Sequence, residues 1–291
     1  MENRLFDIIT DSTCDMPQEY YQKHAVECVP LGFMMDEVNY QGEEGESIVE
    51  KIFYDKLRAG SMPTTYQVTA ESAKPHIEKS LQAGRDVLVL AFSSALSGTA
   101  NSFNMAAKEL AESYPDRKIV VVDSLSASMG EGLLLDYVIK KADSGASLDD
   151  VAEYAESLKG NICQIFTVDN LFHLKRGGRC SSASAIIGSI LKIKPLLHVD
   201  DEGRLTVTGK AMGRKKALST LVETLIATRD MGENDPVFIS HGDCADEVEY
   251  VVSLLKTHLP SVEIVTHYIG AVIGAHAGAG TIAIFYKGKK R

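Results

Sequence analysis

Two short β-type runs, DVLVLAFSS at residues 86–94 and KIVVVDSLS at 118–126, flank a helix-forming segment, NSFNMAAKELAES at 101–113. Strand, helix and strand at this spacing leave room for a crossover between parallel neighbours and none for a tight hairpin. Such crossovers are right-handed. A run as apolar as VLVLAF is expected to be buried on both faces. The chain is therefore committed to a layered α/β arrangement.

The flanking segments agree with it. RLFDIITDST at 4–13 reads as a strand ending in a polar turn. SIVEKIFYDKLRAG at 47–60 predicts a helix, with Ser47 and Glu50 at capping-box spacing, Ile52, Phe53 and Leu57 on one face, and Gly60 as its stop. AESAKPHIEKSLQAG at 70–84 predicts another, kinked at or starting from Pro75. SLDDVAEYAESLKG at 147–160 predicts a third, capped by Ser147 and Asp150, with Val151, Tyr154, Ala155 and Leu158 at core spacing.

Beyond about residue 160 the texture changes. NICQIFTVDN is strand-like, and KPLLHVDDEGRLTVTGKAM predicts a hairpin turning at Asp201, Glu202 and Gly203. The amphipathic KKALSTLVETLIATRD, the strand PVFISHG, the helix ADEVEYVVSLLKTHL, the strand SVEIVTHYI and the closing GAVIGAHAGAGTIAIFYKG follow. Hairpins mixed with helices predict a mixed sheet. Two domains are expected: an N-terminal three-layer α/β/α domain with a parallel sheet over 1–160, and a C-terminal α/β domain with a mixed sheet over 161–291.

Composition narrows the function classes. The 291 residues are 45% apolar and 24% charged, enough for a large core. Acids close to the start and the lack of any apolar run near the ~20 residues that span a bilayer lead us to expect a soluble, cytoplasmic protein. Five scattered cysteines, Cys14, Cys28, Cys163, Cys180 and Cys244, fit neither a disulfide framework nor a zinc site. His24 and Cys28 alone do not make a metal site, and no metal or cofactor is expected.

The net charge of −10 argues against nucleic-acid binding. Between Lys175 and Lys216, however, ten basic residues, Lys192, Arg179 and Arg214 among them, face three acids; this segment is +7 and the remainder −17. It is either a solvated face or a site for an anionic ligand or acidic partner.

Phosphate-loop, dinucleotide, zinc-protease and serine-hydrolase motifs are all missing from the sequence. Asp7, Asp11 and Asp15 recur every fourth residue, but at a strand end that spacing does not gather carboxylates. Asp11 with Ser12 and Thr13 reads as a turn cap.

What remains is a set of small-residue turns. SSALSGT follows a buried run, so Ser93 and Ser94 should lie at the carboxyl edge of the parallel sheet, where α/β proteins place ligands. Amides at the start of the following helix favour an anion there. Either Ser97 or Thr99 would by itself serve as a cap. MPTTYQVT, with Thr64 and Thr65, is a hydroxyl loop between helices, and GAHAGAG leaves little bulk around His276.

In this order the pieces TDST, PTTYQVT, SSALSGTANS, VDSLSASMGEG, LKRGGRCS, LKIKPLLHVDDEGRL, GKAMGRKKAL and IGAHAGAG resemble the DegV family of bacterial fatty-acid-binding proteins, from about residue 5 to about 287. The resemblance implies the two-domain fold above and a long-chain fatty acid buried in an apolar tunnel. It implies no catalytic residue in the chain itself. The partner it implies is the ATP-binding subunit of a fatty acid kinase, which would phosphorylate the presented carboxylate and so feed phospholipid synthesis. An acyltransferase and transient membrane contact are further partners it allows.

Carried over by position, the resemblance makes Thr65, Ser93 and Ser94 hydrogen-bond partners of the carboxylate, with His276 nearby. Arg179 and Arg214 become basic residues near the head group and the kinase-docking face. The chain departs from the family pattern at Tyr66, Val68, Ala277 and Ala279. The alternative is a substrate-binding subunit of a dihydroxyacetone-kinase-like enzyme, in which His276 or His241 would hold a small carbonyl compound.

Energetics permit the lipid. Burying about 14 methylenes yields roughly 11 kcal/mol at ~0.8 kcal/mol each, before entropic losses. Hydrogen bonds to the charged carboxylate at about 1.5–3 kcal/mol apiece offset its desolvation.

Overall fold

The computed structural model describes residues 4–42, 45–169, 171–180, 193–232 and 234–291. Asn170, Ser181, Leu191 and Lys192, which belong to runs named above, lie outside them. The chain forms two compact units: Met1–Ser47 with Thr64–Lys159, and Ile48–Pro63 with Gly160–Arg291. The stretch 48–63 thus leaves the expected 1–160 block and packs with the C-terminal unit.

In chain order the elements begin with β1 (Phe6–Asp11), α1 (Gln18–His24), β2 (Val26–Val29), β3 (Gly32–Met35) and β4 (Val38–Gln41). Then follow α2 (Glu50–Arg58), β5 (Thr64–Tyr66), α3 (Ala70–Gln82), β6 (Asp86–Ala91), α4 (Thr99–Ser113) and β7 (Ile119–Asp123). Next come α5 (Met129–Asp143), α6 (Leu148–Leu158), β8 (Ile162–Thr167), α7 (Phe172–Gly177), β9 (Ile193–Val199) and β10 (Leu205–Met212). The chain closes with α8 (Arg214–Thr228), β11 (Val237–His241), α9 (Ala245–His258), β12 (Ile264–Tyr268), α10 (Ala271–Ala277) and β13 (Ile282–Lys287).

In the first unit β2, β1, β6 and β7 lie side by side, all parallel. The apolar runs explain it: Ile8, Ile9 and Val87 through Leu90 are fully buried. Helices α3 and α4 pack on each other and on the sheet, as do α5 and α6. Strand order reverses between β1 and β6, because the chain runs from β1 to β2 on one side and returns to place β6 on the other. The crevice at the carboxyl ends of two strands where order reverses is where such sheets receive ligands. An antiparallel sheet of β4, β3 and β5 belongs to the same unit.

In the second unit β10, β9, β8, β13, β11 and β12 make a mixed sheet, parallel only between β11 and β12. Leu218, Leu221, Val222 and Leu225 of α8 and Val248, Val251 and Leu255 of α9 build its core with Val237, Ile239, Ile282 and Ile284. The hairpin of β9 and β10 turns at the expected residues, with Gly203 at φ 78°.

Local expectations fared unevenly. Ser147 and Asp150 form the capping box expected of them. Ser47 and Glu50 do not: α2 starts at Glu50 after Val49, with no side-chain cap, and its buried residues are Phe53, Tyr54 and Leu57, whereas Ile52 is exposed. Helix α3 runs through Pro75 from an unforeseen capping box of Thr69 and Ser72. The hydroxyl loop at 64–66 is strand β5, paired with β3. His276 stands in the last turn of helix α10, not in a loop.

Candidate functional site

The carboxyl edge of the parallel sheet is built from the turns after β1, β6 and β7. After β6 the backbone closes tightly: Ser93 N–H donates to the Ser126 carbonyl (3.0 Å), while the Ser93 carbonyl accepts from Leu96 and Ser97 amides (3.0 and 3.1 Å). Ser94 N–H donates to Asp123 Oδ1 (3.2 Å). These bonds give the neighbouring serines different surroundings. Ser93 is fully buried and Ser94 is exposed.

Ser97 accepts from Thr99 N–H through its hydroxyl (3.2 Å) and contacts Thr99 Oγ1 at 2.9 Å, while the N-cap position of α4 itself is Gly98, with no side-chain cap. Gly98 approaches the Gln67 side chain closely. Its N–H donates to Gln67 Oε1 (3.0 Å), and a Cβ added there would meet that oxygen at 2.4 Å. Gln67 Nε2 also reaches Ser102 Oγ at 3.3 Å. Gln67 therefore clamps the end of β5, which carries the half-buried Thr65, to the head of α4. Neither this clamp nor the strand pairing of Thr65 with Phe33 was foreseen. Tyr66, one of the departures from the family pattern, donates its hydroxyl to Asn39 Oδ1 (2.6 Å).

Beneath the serine turn lies a buried polar cluster. Asp11 caps the turn after β1, as expected, accepting from Thr13 N–H (3.1 Å) and from the Thr13 hydroxyl. Its other oxygen accepts from Phe92 N–H (2.9 Å), the amide just before Ser93. Glu131, in the first turn of α5, accepts from Thr10 Oγ1 (3.0 Å) and is completely buried. Ser128 donates to Asp15 (2.5 Å), and Asp7 pairs with Arg85 (2.6 Å), so the three regularly spaced aspartates keep separate partners.

His276, Arg179 and Arg214 belong to the other unit. His276 faces Gly177 of α7 so closely that a Cβ at 177 would lie 2.2 Å from its Nδ1. Burial first, then the nearby Arg179, Arg176 and His173, push its imidazole down to about 4, so it is neutral at pH 7. Arg176 anchors α7 by donating to the carbonyls of Pro63 (2.9 Å) and Ala275 (3.3 Å). Arg179 is exposed and donates to the Gly177 carbonyl (2.6 Å).

Arg214 is largely buried. It grips Glu247 of α9 through Nε and Nη2 (2.9 and 2.7 Å) and donates to the Gly280 carbonyl. It lines a cavity of about 520 Å³ with Arg58, Asp169, His173 and Glu247. The acids in that lining offset its cations.

Among the described residues no group of three or more His, Cys, Asp and Glu side chains could hold a metal ion, and no helix is long and apolar enough to cross a membrane. All five cysteines are free thiols.

A parallel α/β unit with a hydroxyl-lined sheet edge, joined in one chain to a mixed-sheet unit, defines a narrow class of two-unit proteins. The chain belongs to the DegV family, whose model, described as that of uncharacterised proteins, matches residues 5–289. DegV domain-containing protein CPE0026 of Clostridium perfringens is 41% identical over 283 residues, covering 97% of each chain. Protein DegV of Bacillus subtilis is 34% identical, covering 95% of this chain and 97% of its own. Among solved structures, a DegV family protein from Thermus thermophilus, described by its fatty acid binding, superposes with a TM-score of 0.88 at 31% identity, covering 98% of this chain and 99% of its own. The Bacillus subtilis structure, described as a fatty acid binding protein, gives 0.84 at 31% identity over 98% of this chain and all of its own.

Proposed function

We propose that this protein binds a long-chain fatty acid, with the carboxylate received by the hydroxyls at the carboxyl edge of the parallel sheet. The observation that carries the proposal is the chain-length likeness to fatty-acid-binding relatives at 31% identity, combined with accessible hydroxyls at the reversal of strand order. Thr65 on β5 and Ser94 after β6 are the donors within reach of solvent, held in register by Gln67. Neutral hydroxyls suit an anion that must be both bound and released, since each gives about 1.5–3 kcal/mol without forming a salt bridge.

The chain itself is a carrier. Its partner in this proposal is the ATP-binding subunit of a fatty acid kinase in the cytoplasm, which phosphorylates the presented carboxylate and directs the acyl group to phospholipid synthesis. Arg179 and the basic segment around it serve recognition of that subunit.

Native mass spectrometry of the purified protein, followed by denaturation and analysis of the released material, tests the carrier role. A stoichiometric long-chain fatty acid is expected. A protein that emerges empty and then takes up no added fatty acid would overturn it.

A further inference from the structure

Two carboxyl groups under the serine turn share one hydroxyl. Thr13 Oγ1 is hydrogen-bonded to Asp11 Oδ1 and lies 3.3 Å from Glu131 Oε2. A threonine hydroxyl carries one hydrogen, so it cannot donate to two ionised carboxylates at once. Asp11 already accepts two backbone amides, from Thr13 and Phe92, which favour its charged form. Among the described residues, Glu131 has only the Thr10 hydroxyl besides the shared one.

We propose that Glu131 keeps a proton on Oε2 and donates it to Thr13 Oγ1, whose own hydrogen goes to Asp11 Oδ1, so that the Asp11 carboxylate stays seated on the Phe92 amide and positions the serine turn. Asp11, Thr13 and Glu131 are positioning residues, since none needs to touch a ligand. The inference rests on the reading of this turn as the carboxylate's seat.

The surroundings favour the proton. Both carboxyls are wholly buried; burial foremost pushes Glu131 well above the ordinary carboxylate range, reinforced by the charge of Asp11. Burial pushes Asp11 only up to about 6, its hydrogen bonds opposing. The titratable groups facing the pair are Cys14 and Asp15 after β1, and Cys28 on β2, with Tyr21 of α1 against the two thiols. None of these is a cation, and β6 contributes a backbone amide. Ionising Glu131 would set two anions across one hydroxyl in a low-dielectric interior, loosening Asp11 from Phe92.

Infrared spectra of the full chain at neutral pH test the proton directly. A protonated-carboxyl band present in the native protein and lost in Glu131→Gln is expected; identical spectra in that region would overturn the assignment. Amide NMR tests the positioning. Thr13→Val should move the Phe92 and Ser93 resonances and weaken binding of added stearic acid by about tenfold, and Thr13→Ser should restore both. An unmoved Phe92 amide in Thr13→Val would overturn the positioning role. If the amide couples as expected but the native protein takes up no stearic acid, the fatty-acid reading fails and the relay stands.

Discussion

Replacing Ser94 and Ser93 one at a time by alanine separates the head-group donor from the scaffold of the turn. Ser94 is exposed and its backbone is fixed by Asp123, so its hydroxyl can meet a ligand without displacing a protein contact in the sheet. A hydrogen bond to a carboxylate is worth about 1.5–3 kcal/mol, and competition from water at an exposed position selects the lower end. Ser94→Ala should therefore weaken fatty-acid binding about tenfold while leaving the unfolding midpoint unchanged.

Ser93 is fully buried inside a turn whose backbone groups are committed to Ser126, Leu96 and Ser97. Losing a buried hydroxyl costs about 1–3 kcal/mol of stability. Ser93→Ala should lower stability by that amount, with affinity following only as far as the turn deforms. Displacement of a fluorescent fatty acid gives the affinities, and urea unfolding followed by circular dichroism gives the stabilities. Native affinity in Ser94→Ala, together with lost affinity at native stability in Ser93→Ala, would refute the assignment by exposure.

Four further outcomes are expected. Gly98→Ala drives a Cβ into Gln67 and breaks the clamp, so fatty-acid affinity should fall severalfold, and Gln67→Ala should reproduce the loss in the same displacement assay. Gly177→Ala pushes on the His276 ring and should cost about 1–3 kcal/mol in urea unfolding, with His276→Ala in the same chain recovering part of it. Burial, opposed by its hydrogen bonds, pushes Asp11 up to about 6 when folded against 3.8 as the reference, so a net cost of about 3 kcal/mol for keeping it ionised is relieved as pH falls from 6 towards 3.8; the native protein should gain stability over Asp11→Asn across that window, and parallel pH profiles would contradict it. Arg214→Ala should destabilise the chain by about 1–3 kcal/mol by orphaning Glu247, with fatty-acid affinity unchanged in calorimetry and kinase-dependent phosphorylation weakened.

The parallel strands and the 201–203 hairpin were legible because each rests on local chemistry: an apolar run, a crossover of helical length, a glycine with positive φ. Helix α5 was not. Every residue from Met129 to Ile139 is buried, so no polar face marks the helical period. Strand β5 is three residues long and exists by pairing with β3, a contact across the chain that no alternation could announce. The spacing of Ser47 and Glu50 matched a cap that the backbone does not use, since the helix starts at Glu50 itself.

The site divides in the same way. A hydroxyl cluster after a buried strand marked the turn, but which serine faces outward depends on bonds to Ser126 and Asp123, residues that lie beyond the crossover helix. Glu131 had no signature at all: its partner Thr10 is 121 positions away, and an acid in the first turn of a helix is ordinarily a solvated one. Its burial beside a second carboxyl is costly, and a fold minimising that cost would place an amide or an aliphatic side chain there. In the relay proposed above, the Glu131 proton and the Thr13 hydrogen together hold the Asp11 carboxylate on the Phe92 amide, a geometry that aliphatic side chains would leave loose. That amide, Phe92, immediately precedes the turn in which Ser93 is buried and Ser94, the proposed carboxylate donor, is exposed.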